Sequence, residues 1–235
     1  MVSHGQGQRP CPPAPPNRLI FVHAAAHVPY PCRCRRSQRK RENLLAEALV
    51  SRFGPDRATY LSIDAYYLDL RHLAEAERLE RNFDEPAALE VELLARHLEQ
   101  LRRGEAVFVP QYDFTQHTRV EGGNWLEPRP LIFLEGIFAL ALPEVQPLLD
   151  LRIFVETPEQ VCYQRRVIRD AAVRKRSPEE TRQDWETWVG PSLRRWIWPS
   201  RKHADLIVSG EDLPRALLTV CDKLSALRHE KPVSS

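Results

Sequence analysis

No stretch of the 235 residues is an unbroken apolar run of membrane-spanning length, which leaves no candidate for a membrane-spanning helix. The opening MVSHGQGQRPCPPAPPN lacks the apolar core of a secretory signal, and residues 1–16 read as a disordered, Pro-rich leader. Neither sign of charge dominates. Lys and Arg number 34 against 32 Asp and Glu, a net of +2, so nothing drives the chain as a whole toward nucleic acid or a membrane surface. Cysteine is sparse and odd in number: Cys11, Cys32, Cys34, Cys162 and Cys221 are scattered. That usage fits reduced thiols in a cytoplasmic protein rather than a disulfide framework. Cys32 and Cys34 are separated by a single residue, and no second pair follows, so the usual zinc spacing is absent. There is no internal repeat. Glycine is missing from one place in particular, the basic segment PCRCRRSQRKREN, Pro31 to Asn43.

What remains is an ordinary globular composition, 43% hydrophobic and 28% charged. The length suits one domain, over 17–230, with a core large enough to need neither disulfides nor metal. Short apolar runs (RLIFV, ATYLSID, PLIFLEG, DLRIFVET, ADLIVSG) alternate with helical stretches. LRHLAEAERLERNF reads as a helix, and PAALEVELLARHLEQLRRG as another, opened by Pro86 and stopped by Gly104. PEQVCYQRRVIRDAAVRKR is a basic helix, PEETRQDWETWVGPSLRRWIWPS a Trp-rich one, and DLPRALLTVCDKLSALRHE the last. AVFVPQYDF and TRVEGGNWLEP predict a β-hairpin near 106–128, with Gly122 and Gly123 supplying its turn. The fold class is therefore α/β, a parallel sheet of about five strands with helices on both faces, plus a hairpin.

Ligands of such sheets bind beyond the carboxyl ends of the strands. Two strand ends carry acids, Asp64 after YLSI and Glu135 after LIFL. A lone acid there commonly caps the next turn. Two acids facing one crevice suit a divalent cation and a base for an attacking hydroxyl.

Six motifs then occur in order: SIDAYYLD, RNFDEPAALEVELLARHL, VPQYDFTQHTR, LIFLEGIFAL, RRVIRDAAVRKRS and PSRKHADLIV. Together, from about Leu61 to Val208, they resemble the uridine–cytidine kinase family of P-loop kinases. The resemblance implies transfer of the ATP γ-phosphoryl group to the 5′-hydroxyl of a pyrimidine nucleoside, with Mg²⁺ held by Glu135 and Asp64. It implies that Asp64 accepts the hydroxyl proton, with Glu135 and Arg169 also catalytic and Tyr67 beside Asp64. Asp84 would hold the ribose hydroxyls, because a carboxylate accepts two hydrogen bonds from a diol; its alternative is a helix N-cap before Pro86. Glu85 stands where family members often have His. Tyr112, Phe114 and His117 would hold the pyrimidine, the aromatic faces by stacking and the imidazole at a carbonyl or amine. Arg166 and Arg176 would reach the substrate, and Arg174 the ATP phosphates, from a lid over about 170–180. A plain solvated helix face is the competing reading of these arginines. Lys175 occupies a position where the family often has Gly. The tryptophans at 185, 188, 196 and 198 read as packing. Self-association stays open.

A P-loop, GxxxxGK[ST], should follow RLIFVH, and the glycine-free Pro31–Asn43 segment stands in its place. Three readings compete: a basic targeting or nucleic-acid patch; a degenerate loop with Lys40 as its phosphate lysine; and a shifted reading frame. Moving the frame forward by one base through residues 32–43 allows "[AV]G[AV]GG[AV]SGSGKT", an intact loop in the expected place. A non-catalytic chain that keeps a nucleoside pocket, or partners an active homologue, is the alternative to an active kinase.

Overall fold

The computed structural model describes residues 18–24 and 44–229. The leader, the segment containing Lys40 and its neighbouring loop lie outside the described residues.

Seven strands are described: β1 (Arg18–Ala24), β2 (Ala58–Ser62), β3 (Val107–Asp113), β4 (Thr118–Leu126), β5 (Leu131–Glu135), β6 (Leu151–Glu156) and β7 (Leu206–Ser209). Five form one parallel sheet in the order β2-β5-β1-β6-β7. RLIFV thus takes the central position, flanked by β5 and β6. Each strand is short and apolar because both its faces are covered. Side chains alternate across the sheet. Leu19, Ile132, Leu134 and Phe154 enter one core with Leu94, Leu98 and Leu101 of α3 (Val91–Arg102). Ile20, Phe133 and Ile153 enter the other. There they meet Leu45 and Leu49 of α1 (Leu44–Phe53) and Val220 and Leu224 of the C-terminal helix Leu213–His229. No helix among the described residues is long and apolar enough to cross a membrane.

β3 and β4 pair antiparallel as the expected hairpin, but its turn is not at the glycines. The chain reverses at residues 114–117, ending on His117 in the left-handed region, φ 52°. Gly122 and Gly123 lie inside β4, opposite a register shift between Pro110 and Tyr112. They make a bulge, where backbone runs so close that a Cβ on Gly123 would sit 2.8 Å from the Phe108 ring.

Two helices are shorter than expected. LRHLAEAERLERNF forms only α2 (Glu75–Leu79), which buries no residue and so gains no tertiary support. The helix anticipated from Pro86 is a 3₁₀ turn, Pro86–Ala88, and the α-helix begins at Val91. The N-cap of that 3₁₀ turn is Glu85, without a side-chain capping bond, so Asp84 is not spent as a cap.

The basic helix α4 (Glu159–Arg169) widens into a π-helical turn, Asp170–Arg174, and ends on Lys175 in the left-handed region, φ 58°. The helix α5 (Pro178–Asp184) opens on a Ser177–Glu180 capping box and continues helically, through two π turns, to Ser200. Trp185 is buried, Trp196 and Trp198 pack against the core, and Trp188 is exposed.

Candidate active site

The crevice begins where β2 and β5 end side by side, with Ser62 opposite Glu135. Ser62 caps a 3₁₀ turn, Ile63–Tyr66, its hydroxyl accepting the Asp64 N–H at 3.3 Å. That turn lifts Asp64 off the strand end. Glu135 is buried, 1% exposed, and the next residue is Gly136 at φ 140°. A Cβ on Gly136 would overlap Ile63 Cγ1 and lie 2.5 Å from Cδ1. Only glycine lets the residue after one acid press against the residue before the other. The two acids therefore stand at adjacent strand ends, with Gly136 packed on Ile63 between them. Among the described residues no third acid, His or Cys joins them in a metal-sized group. Two carboxylates suit Mg²⁺, which keeps several waters and takes its other ligands from phosphates.

One wall is aromatic. Tyr67 is 2% exposed and its hydroxyl donates to the Phe83 carbonyl at 3.3 Å. Its ring centroid lies 5.4 Å from Tyr112, 5.8 Å from Phe114 and 6.1 Å from Phe83. Phe83 in turn stacks on His117 at 4.4 Å, 17° from parallel. Tyr67 is thus packed, and it is also beside the acids: burial first, then Asp64 and Asp84, push its phenol well above the ordinary value. Burial pushes the Tyr112 phenol up too, and its hydroxyl is a buried group without a hydrogen-bond partner among the described residues. His117 is held neutral, lowered by burial and then by Arg174, Arg78 and Arg176. The hairpin is pinned to the body by the Arg119–Glu90 ion pair at 2.5 Å. Beneath it, the Tyr66 hydroxyl meets His97 Nδ1 at 2.9 Å.

The opposite wall is charged. Arg166, 2% exposed at its side chain, pairs with Asp184, and Arg176 Nη1 reaches the same Asp184 oxygen at 3.1 Å. Arg169 Nη2 contacts Asp170 at 2.8 Å, and Arg174 Nη1 lies 3.5 Å from it. The arginines are no solvated face: three of the four are largely buried. Asp84 faces this group. Burial raises its pKa, Arg166 opposes the rise, and Asp184 adds to it. The structure thus links Tyr67, Asp84, Tyr112, Phe114, His117 and the four arginines in one cluster, with Asp64 beside Tyr67. Lys40 lies outside the described residues.

Sequence reasoning missed Phe83, Arg78, Asp170 and Asp184. Phe83 was legible as the aromatic inside RNFDEP; the two aspartates were hidden because a carboxylate among arginines reads as one more exposed charge. A further concavity lies at the ends of β6 and β7, floored by Trp198, Ile207 and Val208 and edged by Thr157, Ser209 and Glu156.

A five-stranded parallel sheet with acids at two adjacent strand ends and an arginine-rich helix end fits the P-loop kinase class. Phosphoribulokinase from Rhodobacter spheroides shares the fold, with TM-score 0.56 and 17% identity over 82% of this chain and 69% of that one. The D-glycerate 3-kinase of Cryptococcus neoformans does as well, with TM-score 0.51 and 14% identity over 76% of this chain and 79% of that one. A profile of the Phosphoribulokinase / Uridine kinase family matches residues 37–214, and the chain belongs to that family. Uridine kinase of Shewanella amazonensis is 39% identical over 162 residues, 69% of this chain and 76% of its own. Uridine kinase of Vibrio cholerae is 39% identical over 160 residues, 68% and 75% of the two chains.

Proposed function

We propose that this chain is an ATP-dependent nucleoside kinase that phosphorylates the 5′-hydroxyl of uridine or cytidine. The observation that carries the reading is the meeting of three chemistries in one crevice: the Asp64 and Glu135 strand ends, the Tyr67–Phe83–Tyr112–Phe114–His117 aromatic wall, and Asp84 against the arginines. Phosphoryl transfer asks the protein mainly for alignment and charge neutralisation. Asp64, half-buried at the crevice, takes the hydroxyl proton. Asp84 accepts from the ribose diol, and the aromatic wall with neutral His117 holds the base. Arg169 and Arg174 face the charge that develops on the transferred group. Glu135 and Asp64 would hold Mg²⁺, which when bound neutralises the phosphate oxygens. The concavity floored by Trp198 and Ile207 suits a flat purine ring with polar groups at its edge, and is the seat available to ATP. The cytoplasm fits a chain with five scattered cysteines.

The Pro31–Asn43 segment bears on rate rather than on class. Arg-rich sequence supplies charge but not the converging N–H groups of a glycine nest. On this reading the chain is impaired, with weak ATP binding and slow transfer, and a one-base shift of frame over residues 32–43 would restore a working loop. The nucleotide string reads this directly. The functional test is a paired assay of the chain and of a version carrying GGASGSGKT over residues 35–43, with ATP, Mg²⁺ and uridine. Rescue is expected, and equal activity of the two would remove the loop from the mechanism. A restored chain that binds uridine but never phosphorylates it would support the non-catalytic alternative.

A further inference from the structure

Asp170 is 0% exposed, yet its carboxyl group sits among three arginines. Its Oδ1 accepts from Arg169 Nε at 3.0 Å and Nη2 at 2.8 Å and lies 3.5 Å from Arg174 Nη1. Its Oδ2 lies 3.4 Å from Arg166 Nε, and its backbone carbonyl accepts the Arg176 N–H at 3.2 Å. The local backbone makes this convergence. Arg166 is one helical turn before Asp170 and faces its Oδ2, and the π turn from Asp170 to Arg174 brings Arg174 to Oδ1, the oxygen Arg169 holds. One carboxylate thus gathers guanidiniums from both sides of a helix end.

Stability does not account for the arrangement. Four arginines share two paired carboxylates, Asp170 and Asp184, whose contacts do not restore the solvation the buried charges lose, and apolar residues of similar volume would hold the helix end at lower cost. Two signs mark a surplus of positive charge. Burial, then Arg169, pushes Arg174 down to about 10. Arg166 Nη1 is buried with no hydrogen-bond partner among the described residues. An anion with several oxygens would relieve both.

We propose that Asp170 is the positioning residue of the lid, gathering Arg166, Arg169 and Arg174 into one seat whose surplus charge receives a polyphosphate. It touches neither nucleoside nor the reacting atoms and acts only through the three arginines. The identity of the anion as the ATP phosphates rests on the kinase reading above; the gathering does not.

Asp170→Asn keeps the volume and removes the charge. Inorganic tripolyphosphate and uridine, each titrated separately into the chain by calorimetry, give the two readouts. If the seat is organised by Asp170, tripolyphosphate binding weakens by about tenfold, the scale of a lost charge-assisted contact, while uridine binding holds, and Tm falls only as far as buried arginines losing a partner require. Turnover falls with it, at unchanged uridine KM. If Asp170 only offsets charge, deleting one negative charge tightens tripolyphosphate, and tighter or unchanged binding overturns the proposal. Loss of uridine binding together with a lower Tm makes the role structural and overturns it as well. Should D170N not fold, Arg169→Lys reads the same seat. Lysine keeps the charge but cannot present two nitrogens to Asp170 Oδ1, so tripolyphosphate binding again weakens, and unaltered affinity sinks the idea. Wild-type protein that binds tripolyphosphate but neither binds nor phosphorylates uridine would refute the nucleoside reading and leave Asp170 testable.

Discussion

Gly136→Ala adds a single methyl group at the joint between the two acids. Two separable costs follow. Alanine at φ 140° occupies backbone space that is essentially glycine's own, a strain of about 1–3 kcal/mol. The new Cβ overlaps Ile63 Cγ1 and stands 2.5 Å from Cδ1, an overpacking penalty of about another 1–3 kcal/mol. Together these remove about 2–6 kcal/mol, which lowers a urea midpoint by about 1–2 M at an ordinary m-value. Ile63→Ala separates the parts. It deletes Cγ1 and Cδ1 and leaves Cβ at 3.3 Å, a tolerable contact. On its own it creates a cavity costing about 2–5 kcal/mol. Combined with Gly136→Ala it should cost less than the sum, with a coupling of about 1–3 kcal/mol, because the clash is gone while the backbone strain remains. In the active form, Gly136→Ala also shifts Asp64 relative to Glu135, and a displacement near 1 Å lowers kcat on the order of a hundredfold. The assays are urea unfolding of the four proteins and turnover of the singles. A midpoint loss below about 0.3 M, or strict additivity in the double mutant, would falsify the claim that Gly136 and Ile63 set the spacing of the acids.

Asp64→Asn should lower kcat by about 10²–10⁴-fold, the share of a general base, and leave the uridine Kd from calorimetry within about twofold; a matching loss of binding would count against a proton-accepting role. His117→Ala should instead raise the nucleoside KM with kcat little changed. The native imidazole of His117 resists protonation while the unfolded one takes a proton near its ordinary value of 6.5, so its contribution is present above that pH and lost as pH falls through the lowered native value. Thermal melts from pH 7 to 5 should therefore fall more steeply for the wild type than for His117→Gln; parallel slopes would place the charge elsewhere. The raised carboxyl of Asp84 has the opposite sign, its contribution being full below the unfolded value and lost as pH rises through the native one. Asp84→Asn should accordingly raise the urea midpoint at pH 7 while weakening nucleoside binding, and a lower midpoint would show that Arg166 dominates over burial.

The sheet was legible because a strand covered on both faces must be apolar along its length, and RLIFV, ATYLS, LIFLE, LRIFVE and LIVS satisfy that in few residues. The strand-end acids were legible for the complementary reason: Glu135 is a charge at the end of a run with no other polar residue. Where tertiary contacts outweigh local preference, the reading failed. LRHLAEAERLERNF has helix formers throughout, but only five residues are helical, and those five bury nothing. Gly122 and Gly123 have the composition of a turn, but Gly123 supplies room for Val109 and the Phe108 ring and Gly122 a φ of 97° inside the bulge. The turn itself went to FTQH, where Asp113 Oδ1 accepts the N–H of Thr115 at 2.7 Å, a local bond that glycine counting does not reveal. Asp170 and Asp184 were invisible for a different reason. They lie in stretches rich in charge, and only the fold decides which of those charges are out of reach of water.

The place of β1 in the sheet has a consequence for how the polypeptide comes off the ribosome. Its two partners, β5 and β6, begin at Leu131 and Leu151, more than a hundred residues downstream of Arg18. No neighbour for the central strand exists until most of the chain has been made. At about 5–20 residues per second the wait is on the order of ten seconds. Through that interval Leu19 and Ile20, which end fully buried, have nothing native to cover them. Synthesis of β6 is the event that allows the sheet to close, and chains stopped before Glu156 should be held by chaperones while those reaching past it are released.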